Sequence, residues 1–415
     1  MKKKLLVILG AGSSIECGMP SVAAIDHLMR GWSAHLAQER ATPDYFDLAW
    51  QALTKHLAHG LHGVPSKPDF EKTLAELMAL MHWVRPAPAG SAMRTLVAEG
   101  ELPANITFPF AEAYGPSITL KMHASKLLEW LAQHMRAECA KANAFGAGVD
   151  QWRRILSVLR ETFDVAIYNL NYDTVALTCW PDAPTGFTKE GHFDAAAFHR
   201  RGWNGIMHLH GSVHFSLREN LSEEIDWRSD LKGPFVDCDE GRSSDERSDG
   251  RDFPRTTLIA GGFKLDQLLV EPFNSYQSAL VRDAYAAGAI LIGGYGFTDV
   301  HVNRALKNAL KGRRAQRPPV LVLDWAGEET DPISFRYDRW AHVLMDVLHA
   351  PSQSYAEPGR TAPTPPIDLK ARQTCELSPV HRTAIWYGGF LAAADAAPRL
   401  STWLAGGADT LLAPP

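Results

Sequence analysis

A chain of 415 residues, 46% of them hydrophobic, is long enough to bury a large core and to divide into two or three structural units, which excludes a disordered polymer. A formal net charge of −5 excludes a general attraction to phosphate backbones, and without a local basic patch direct nucleic-acid binding is not expected. Five scattered cysteines (Cys17, Cys139, Cys179, Cys238, Cys375), an odd number with no CxxC pair, exclude a disulfide framework and fit a reducing compartment.

The basic start, Met1 to Lys4, is followed by an apolar run too short for a signal-peptide core, and no later segment reaches membrane-spanning length, so a cytoplasmic protein without a membrane anchor is expected. That run, Leu5 to Leu9, ends in Gly10-Ala11-Gly12 and reads as a buried parallel strand feeding a tight turn. From residue 22 the period lengthens. Val22, Ile25, Met29, Trp32 and Leu36, then Phe46, Trp50, Leu53 and Leu57, then Phe70, Leu74, Leu77 and Met81 recur at helical spacing, and the pattern resumes at Leu127, Leu131 and Met135 after a stretch with Pro and Gly around residues 86 to 117. Residues 25–149 are therefore expected to be a helical insertion module.

Strand-like runs follow at Val165 to Leu170, Gly205 to Leu209, Thr257 to Ile259, Ala289 to Ile292 and Val320 to Leu323, alternating with helical or loop segments. This predicts an α/β fold, a Rossmann-like parallel sheet with helices on both faces, built from residues 1–24 plus 150–349. Gly288 and Gly312 read as stops for two helices, and residues 222–252, rich in charged and small polar residues, as a solvated loop. Residues 350–415 read as a Pro-rich linker and a C-terminal extension with Trp386, Tyr387, Phe390 and Trp403.

Four motifs sit at predicted strand ends, where open α/β sheets bind ligands. Gly10-Ala11-Gly12-Ser13-Ser14, leading to Gly18-Met19-Pro20, offers small residues that let backbone N–H groups approach a pyrophosphate; Ile15 stands where a third glycine would complete the dehydrogenase fingerprint, which argues against hydride transfer. Asn169-Leu170-Asn171-Tyr172-Asp173 places an amide and a carboxylate two residues apart, and reads equally well as an Asx turn capping the next helix. In His208-Leu209-His210-Gly211, alternation puts both histidines on one face and Gly211 allows close approach. One histidine can serve as a general base; core histidines and a metal pair are the other readings, the metal pair the weakest. Finally, Gly293-Gly294-Tyr295-Gly296-Phe297-Thr298-Asp299-Val300-His301-Val302-Asn303 pairs a glycine turn with a helix start that Thr298 or Asp299 can cap. Each motif alone is an ordinary turn; four in succession at strand ends point to one site.

In this order the motifs resemble the sirtuin-like superfamily, in particular the NAD+-hydrolysing sirtuin-like proteins of bacterial antiphage defence, over roughly residues 5–24 and 160–325. Gly10, Ala11, Gly12, Ser14, Gly18 and Pro20 resemble its first NAD-binding loop, Asn171-x-Asp173 its N-x-D element, His210-Gly211 its His-Gly pair, and Gly294, Tyr295, Phe297 and Asp299, followed by His301 and Asn303, its late cofactor loop. The resemblance implies NAD+ as substrate, with Gly211 among the cofactor contacts. Asn171 would position the nicotinamide ribose or a water, Asp173 would hold the carboxamide, and His210 would act as base or orient the ribose hydroxyls.

Nicotinamide leaves an already cationic bond through an oxocarbenium-like state, so orientation and polar stabilisation suffice without a metal. The paired CxxC ligands of the deacetylases are missing, Leu170 replaces their glutamine, and Ser21-Val22-Ala23 replaces their acidic-aromatic-basic stretch, so no zinc is expected and water is the expected acceptor. The resemblance further implies an abortive-infection effector acting as a homo-oligomer or with a partner such as a HerA-like ATPase or an Argonaute. An NAD-dependent deacylase or ADP-ribosyltransferase, and a non-catalytic NAD+ or ADP-ribose sensor, are the alternatives.

Overall fold

A computed structural model describes residues 2–58, 67–84, 107–108, 111–141, 144–200, 202–218, 224–239, 254–261, 264–313, 316–327, 331–333, 336, 338–350, 375–378, 381–407 and 411. Its centre is a seven-stranded sheet in the order β3-β2-β1-β6-β7-β9-β8. The strands are β1 (Lys3–Leu9), β2 (Phe163–Asn169), β3 (Gly205–His208), β6 (Ala289–Gly293), β7 (Val320–Leu323), β9 (Thr383–Trp386) and β8 (Glu376–Leu377). All pairs are parallel except β8 with β9. Strands β4 (Phe215–Leu217) and β5 (Ile225–Trp227) form a separate antiparallel hairpin. Six parallel strands running outward in both directions from a central β1 is the doubly wound Rossmann order.

The period of two along each strand divides the core. Leu5, Val7 and Leu9 of β1, with Val165, Ile167, Leu291, Leu323 and Trp386, face one side, while Leu6 and Ile8, with Ala166, Tyr168, Ile290, Ile292, Val322 and Ile385, face the other. Burial on both faces explains why these strands are almost uninterrupted apolar runs. The first face is covered by α2 (Val22–Arg40), α4 (Phe70–Trp83), α5 (Ala111–Cys139), α6 (Gly148–Thr162) and α13 (Ala393–Ala405); the second by α10 (Phe273–Ala286), α11 (Val300–Gly312) and α12 (Arg339–Leu348). Helix α3 (Tyr45–Ala58) completes the inserted group, and the short helices are α1 (Gly12–Ile15), α7 (Val175–Cys179), α8 (Ala195–Arg200) and α9 (Lys264–Gln267).

Local sequence explains the helix ends. Ser21, Asp69 and Asp338 each accept the amide N–H three residues on and so start α2, α4 and α12. Gly115, at φ 71°, and Pro116 break α5 near its start. No helix among the described residues is long and apolar enough to cross a membrane.

Three sequence expectations differ from the fold. Residues 350–415 were expected to be an extension, yet Thr383–Trp386 forms the sixth parallel strand against β7, and α13 packs on the first face. Thr-Ala-Ile-Trp behind a Pro-rich stretch is neither a run of large apolar residues, as Val320–Leu323 is, nor a polar–apolar alternation. Thr257 to Ile259 does not join the sheet; Leu258 forms only an isolated bridge to Gly211. The segment read as a solvated loop contains β5 and, at Asp237, a buried ion pair with Arg136 of α5; residues 240–252 lie outside the described residues.

Candidate active site at the carboxyl ends of the strands

The connections from β1 and from β6 leave the sheet in opposite directions, so the carboxyl ends of these neighbours flank the switch-point crevice of a doubly wound fold. Both ends are glycine turns packed directly on one another. Gly10 N–H donates to Gly293 O (2.9 Å) and Gly12 N–H to Gly294 O (3.0 Å). A Cβ on Gly10 would lie 2.6 Å from Gly294 O, and one on Gly294 would lie 2.2 Å from Ser13 N. The glycines thus permit backbone-to-backbone contact between two strand ends. This corrects the expectation that the Gly10 and Gly12 amides are presented to a pyrophosphate, since both are already donated within the protein. Ala11 at the tip is exposed, Gly18 (φ 87°) is exposed and closes the turn after α1, and Pro20 is half-buried.

Asn171 follows β2 and reaches across to this turn. Its Nδ2 donates to Gly10 O (3.0 Å), to Ser13 Oγ (3.1 Å) and to Ser14 Oγ (2.9 Å), and its backbone N–H donates to Asn169 Oδ1 (3.1 Å). With the amide nitrogen committed, the plane of the side chain is set and Oδ1 is left as acceptor, with no donor to it among the described residues. Ser14 also bonds the buried Asp173 carboxyl, and Asp173 Oδ1 accepts Val175 N–H (2.9 Å), so Asp173 caps α7 as an Asx turn does. Burial pushes the Asp173 acid up from its ordinary range, opposed by the Val175 and Ser14 hydrogen bonds.

The two histidines part company. His208 turns into the core against Phe215 and Trp227, with neither ring nitrogen hydrogen-bonded, and burial takes its pKa down to about 3. It is a core histidine. His210, beyond the end of β3, meets the start of α11: its Nε2 lies 3.2 Å from His301 Nε2 and 3.6 Å from Asp299 Oδ1. Burial lowers the pKa of His210 well below the ordinary value, despite the opposing pull of Asp299, and brings His301 to about 4. Both imidazoles are neutral at neutral pH. Gly211 is not open to a ligand, because Thr257 O would stand 2.1 Å from a Cβ there.

Asp299 occupies the cap position of α11 without capping it, because its Oδ1 is taken by Lys264 Nζ (2.8 Å), which also holds Glu71 Oε2 of α4 (2.8 Å). Burial opposes ionisation of Asp299, but the cationic Lys264 beside it, raised in its own pKa by Glu71 and Asp299, holds the carboxyl down. Glu71 and Lys264 carried no sequence signal, since each lies in an unremarkable helical stretch far from the motifs. Tyr295 and Phe297 are buried. The Tyr295 hydroxyl donates to Asn303 Oδ1 (3.0 Å), Asn303 Nδ2 donates to Phe297 O (2.8 Å), and Phe297 sits at φ 54°. These residues shape the turn that carries Asp299. Phe390, after β9, covers the end of β6 from the first face: its ring stands 2.5 Å from where a Gly293 Cβ would lie.

The structure thus brings Gly10, Ser14, Asn171 and Asp173 into one bonded group packed against Gly294, and His210, Asp299 and His301 into another. Residues 165–343 match the family described as the SIR2-like domain. The match runs from β2 into α12 and leaves out β1, the inserted helices and β9. No curated protein sequence matches the chain. Among solved structures, a Sir2 homologue in complex with NAD aligns at 10% identity over 97% of this chain and 90% of that chain, with a TM-score of 0.38. A mutant Sir2 homologue with 2′-O-acetyl ADP ribose aligns at 12% identity over 86% and 96%, TM-score 0.35. A Sir2 enzyme bound to a propionylated peptide aligns at 11% identity over 79% and 83%, TM-score 0.30. The fold described above rests on the strand order itself.

Proposed function

We propose that this chain is an NAD+ glycohydrolase: it binds NAD+ over the β1–β6 switch point and cleaves the nicotinamide–ribose bond, with water as acceptor, to give nicotinamide and ADP-ribose. The observation that carries the reading is Asn171, whose amide is locked by Gly10, Ser13 and Ser14 with Oδ1 left to accept from a ribose hydroxyl or a water. An acceptor held in a fixed direction at the strand ends is what orienting a ribose hydroxyl or a water requires.

His210, neutral by burial, takes the proton of the attacking water or of a ribose hydroxyl on Nε2. The ionised Asp299 also places negative charge where the oxocarbenium-like state develops positive charge. Asp173, held in place by Val175 N–H and Ser14, binds the carboxamide. The exposed Ala11 and Gly18 turns line the diphosphate path. The family match of residues 165–343 supports chemistry on NAD+, and the lack of any CxxC pair speaks for water rather than an acylated peptide as acceptor. Depletion of NAD+ as an antiphage effector, by an oligomer or with a partner protein, is the role this activity would serve.

The test is incubation of the purified full chain, and of its Asn171→Ala and His210→Ala variants, with NAD+, followed by chromatographic identification of products. Nicotinamide and ADP-ribose are expected from the wild type alone, while binding of ADP-ribose persists in the variants. Unchanged turnover in Asn171→Ala overturns its role, and an O-acyl-ADP-ribose product overturns the hydrolase in favour of a deacylase.

A further inference from the structure

The group at the start of α11 has a property that NAD+ cleavage does not require. His210, Asp299 and His301 each present one donor atom, and the three atoms lie within 4.8 Å of one another. They come from two separate segments, the end of β3 and the first turn of α11. We propose that His210, Asp299 and His301 form a binding site for a divalent transition cation of the zinc class.

The spacing suits such an ion. Tetrahedral ligands held at zinc-like bond lengths of about 2.0–2.1 Å stand roughly 3.3 Å apart; His210 Nε2 is 3.2 Å from His301 Nε2 and 3.6 Å from Asp299 Oδ1, and the third pair, His301 with Asp299, lies within 4.8 Å and closes in when the ion binds. Two imidazoles and one carboxylate favour Zn2+, Co2+ or Fe2+ over the oxygen-seeking Mg2+ and Ca2+. The surroundings complete it: Lys264 hydrogen-bonds the Asp299 carboxylate and fixes its direction, and Glu71 neutralises Lys264, so the negative charge of Asp299 remains available to a cation. Glu71 belongs to α4, so the inserted helices hold one side of the site. Where the glycohydrolase reading also holds, the ion takes the same Nε2 of His210 that accepts the proton, and bound metal and turnover exclude each other.

The experiment uses the full chain stripped with a chelator, titrated with Co2+ and followed by visible absorption and by metal content after dialysis, in the absence of NAD+. The wild type is expected to take up one Co2+ per chain with a d–d band of tetrahedral or five-coordinate intensity, displaced by Zn2+. His301→Ala and Asp299→Asn are each expected to weaken uptake by about tenfold or more, while the exposed His27→Ala keeps it. His301→Asn serves if His301→Ala does not give the wild-type circular dichroism. No saturable uptake by the wild type, or uptake unchanged in folded His301 and Asp299 variants, overturns the site. Zn2+ suppressing nicotinamide release from the metal-stripped wild type is the expected consequence; a chain that releases no nicotinamide when stripped of metal, yet binds Co2+ through these residues, overturns only the glycohydrolase reading.

Discussion

Replacing Gly294 by alanine tests the proposition that the two glycine turns exist to bring the ends of β1 and β6 into backbone contact. Gly294 sits at φ 58°, where a side chain costs about 1–2 kcal/mol. Its new Cβ would lie 2.2 Å from Ser13 N, 2.4 Å from Gly12 C and 2.6 Å from Gly12 Cα, all backbone atoms of a segment that cannot rotate away. Relief requires parting the strand ends, which loosens the Gly12 N–H to Gly294 O bond and strains the Gly294 N–H to Leu323 O bond. Overpacking of this kind costs about 1–3 kcal/mol and a lost hydrogen bond about 1 kcal/mol. The sum, about 3–6 kcal/mol, is a large part of the stability of an ordinary domain. Urea unfolding followed by tryptophan fluorescence should show this loss for Gly294→Ala. Gly296→Ala is the control, because its Cβ would meet nothing closer than Thr298 Cγ2 at 3.9 Å. Equal midpoints for the two variants would refute the close-packing explanation.

Acid should destabilise the fold through His123 of α5. This buried ring accepts or donates at Ser33 Oγ (2.9 Å), and burial, helped by Arg40, lowers its pKa to about 4. Since the unfolded chain binds the proton near pH 6.5, the stability it contributes is present above that pH and is lost as pH falls from about 6.5 toward 4, up to about 3 kcal/mol. His123→Gln should flatten that part of the curve of unfolding free energy against pH, and an unchanged slope would clear His123 of the effect. Phe390→Ala should cost about 3–5 kcal/mol in the same urea assay, because the ring fills the space over Gly293 and against Trp152. A loss under about 1 kcal/mol would mean that the segment after β9 is not part of the core.

What the sequence determined by itself was whatever is written in local periodicity and composition. The apolar runs of β1, β2, β6 and β7, their helical separators and the glycine or Asn-x-Asp turns that end them announced an α/β sheet with polar groups at the strand ends, because burial on both faces and tight turns each leave a short-range signature. Asn171 and His210 were visible for that reason. Tertiary structure alone decided how the turns are used. The amides of Gly10 and Gly12 go to the β6 turn, Thr257 lies against Gly211, and His208 and His210 enter different surroundings; none of these depends on neighbours in sequence. The same holds for Glu71 and Lys264, which are 193 residues apart and meet only because α4 and α9 pack at the same strand ends. Strand β9 was hidden because Thr-Ala-Ile-Trp is neither a continuous run of large apolar residues, as Val320–Leu323 is, nor a polar–apolar alternation, and its place beside β7 is set by tertiary pairing alone.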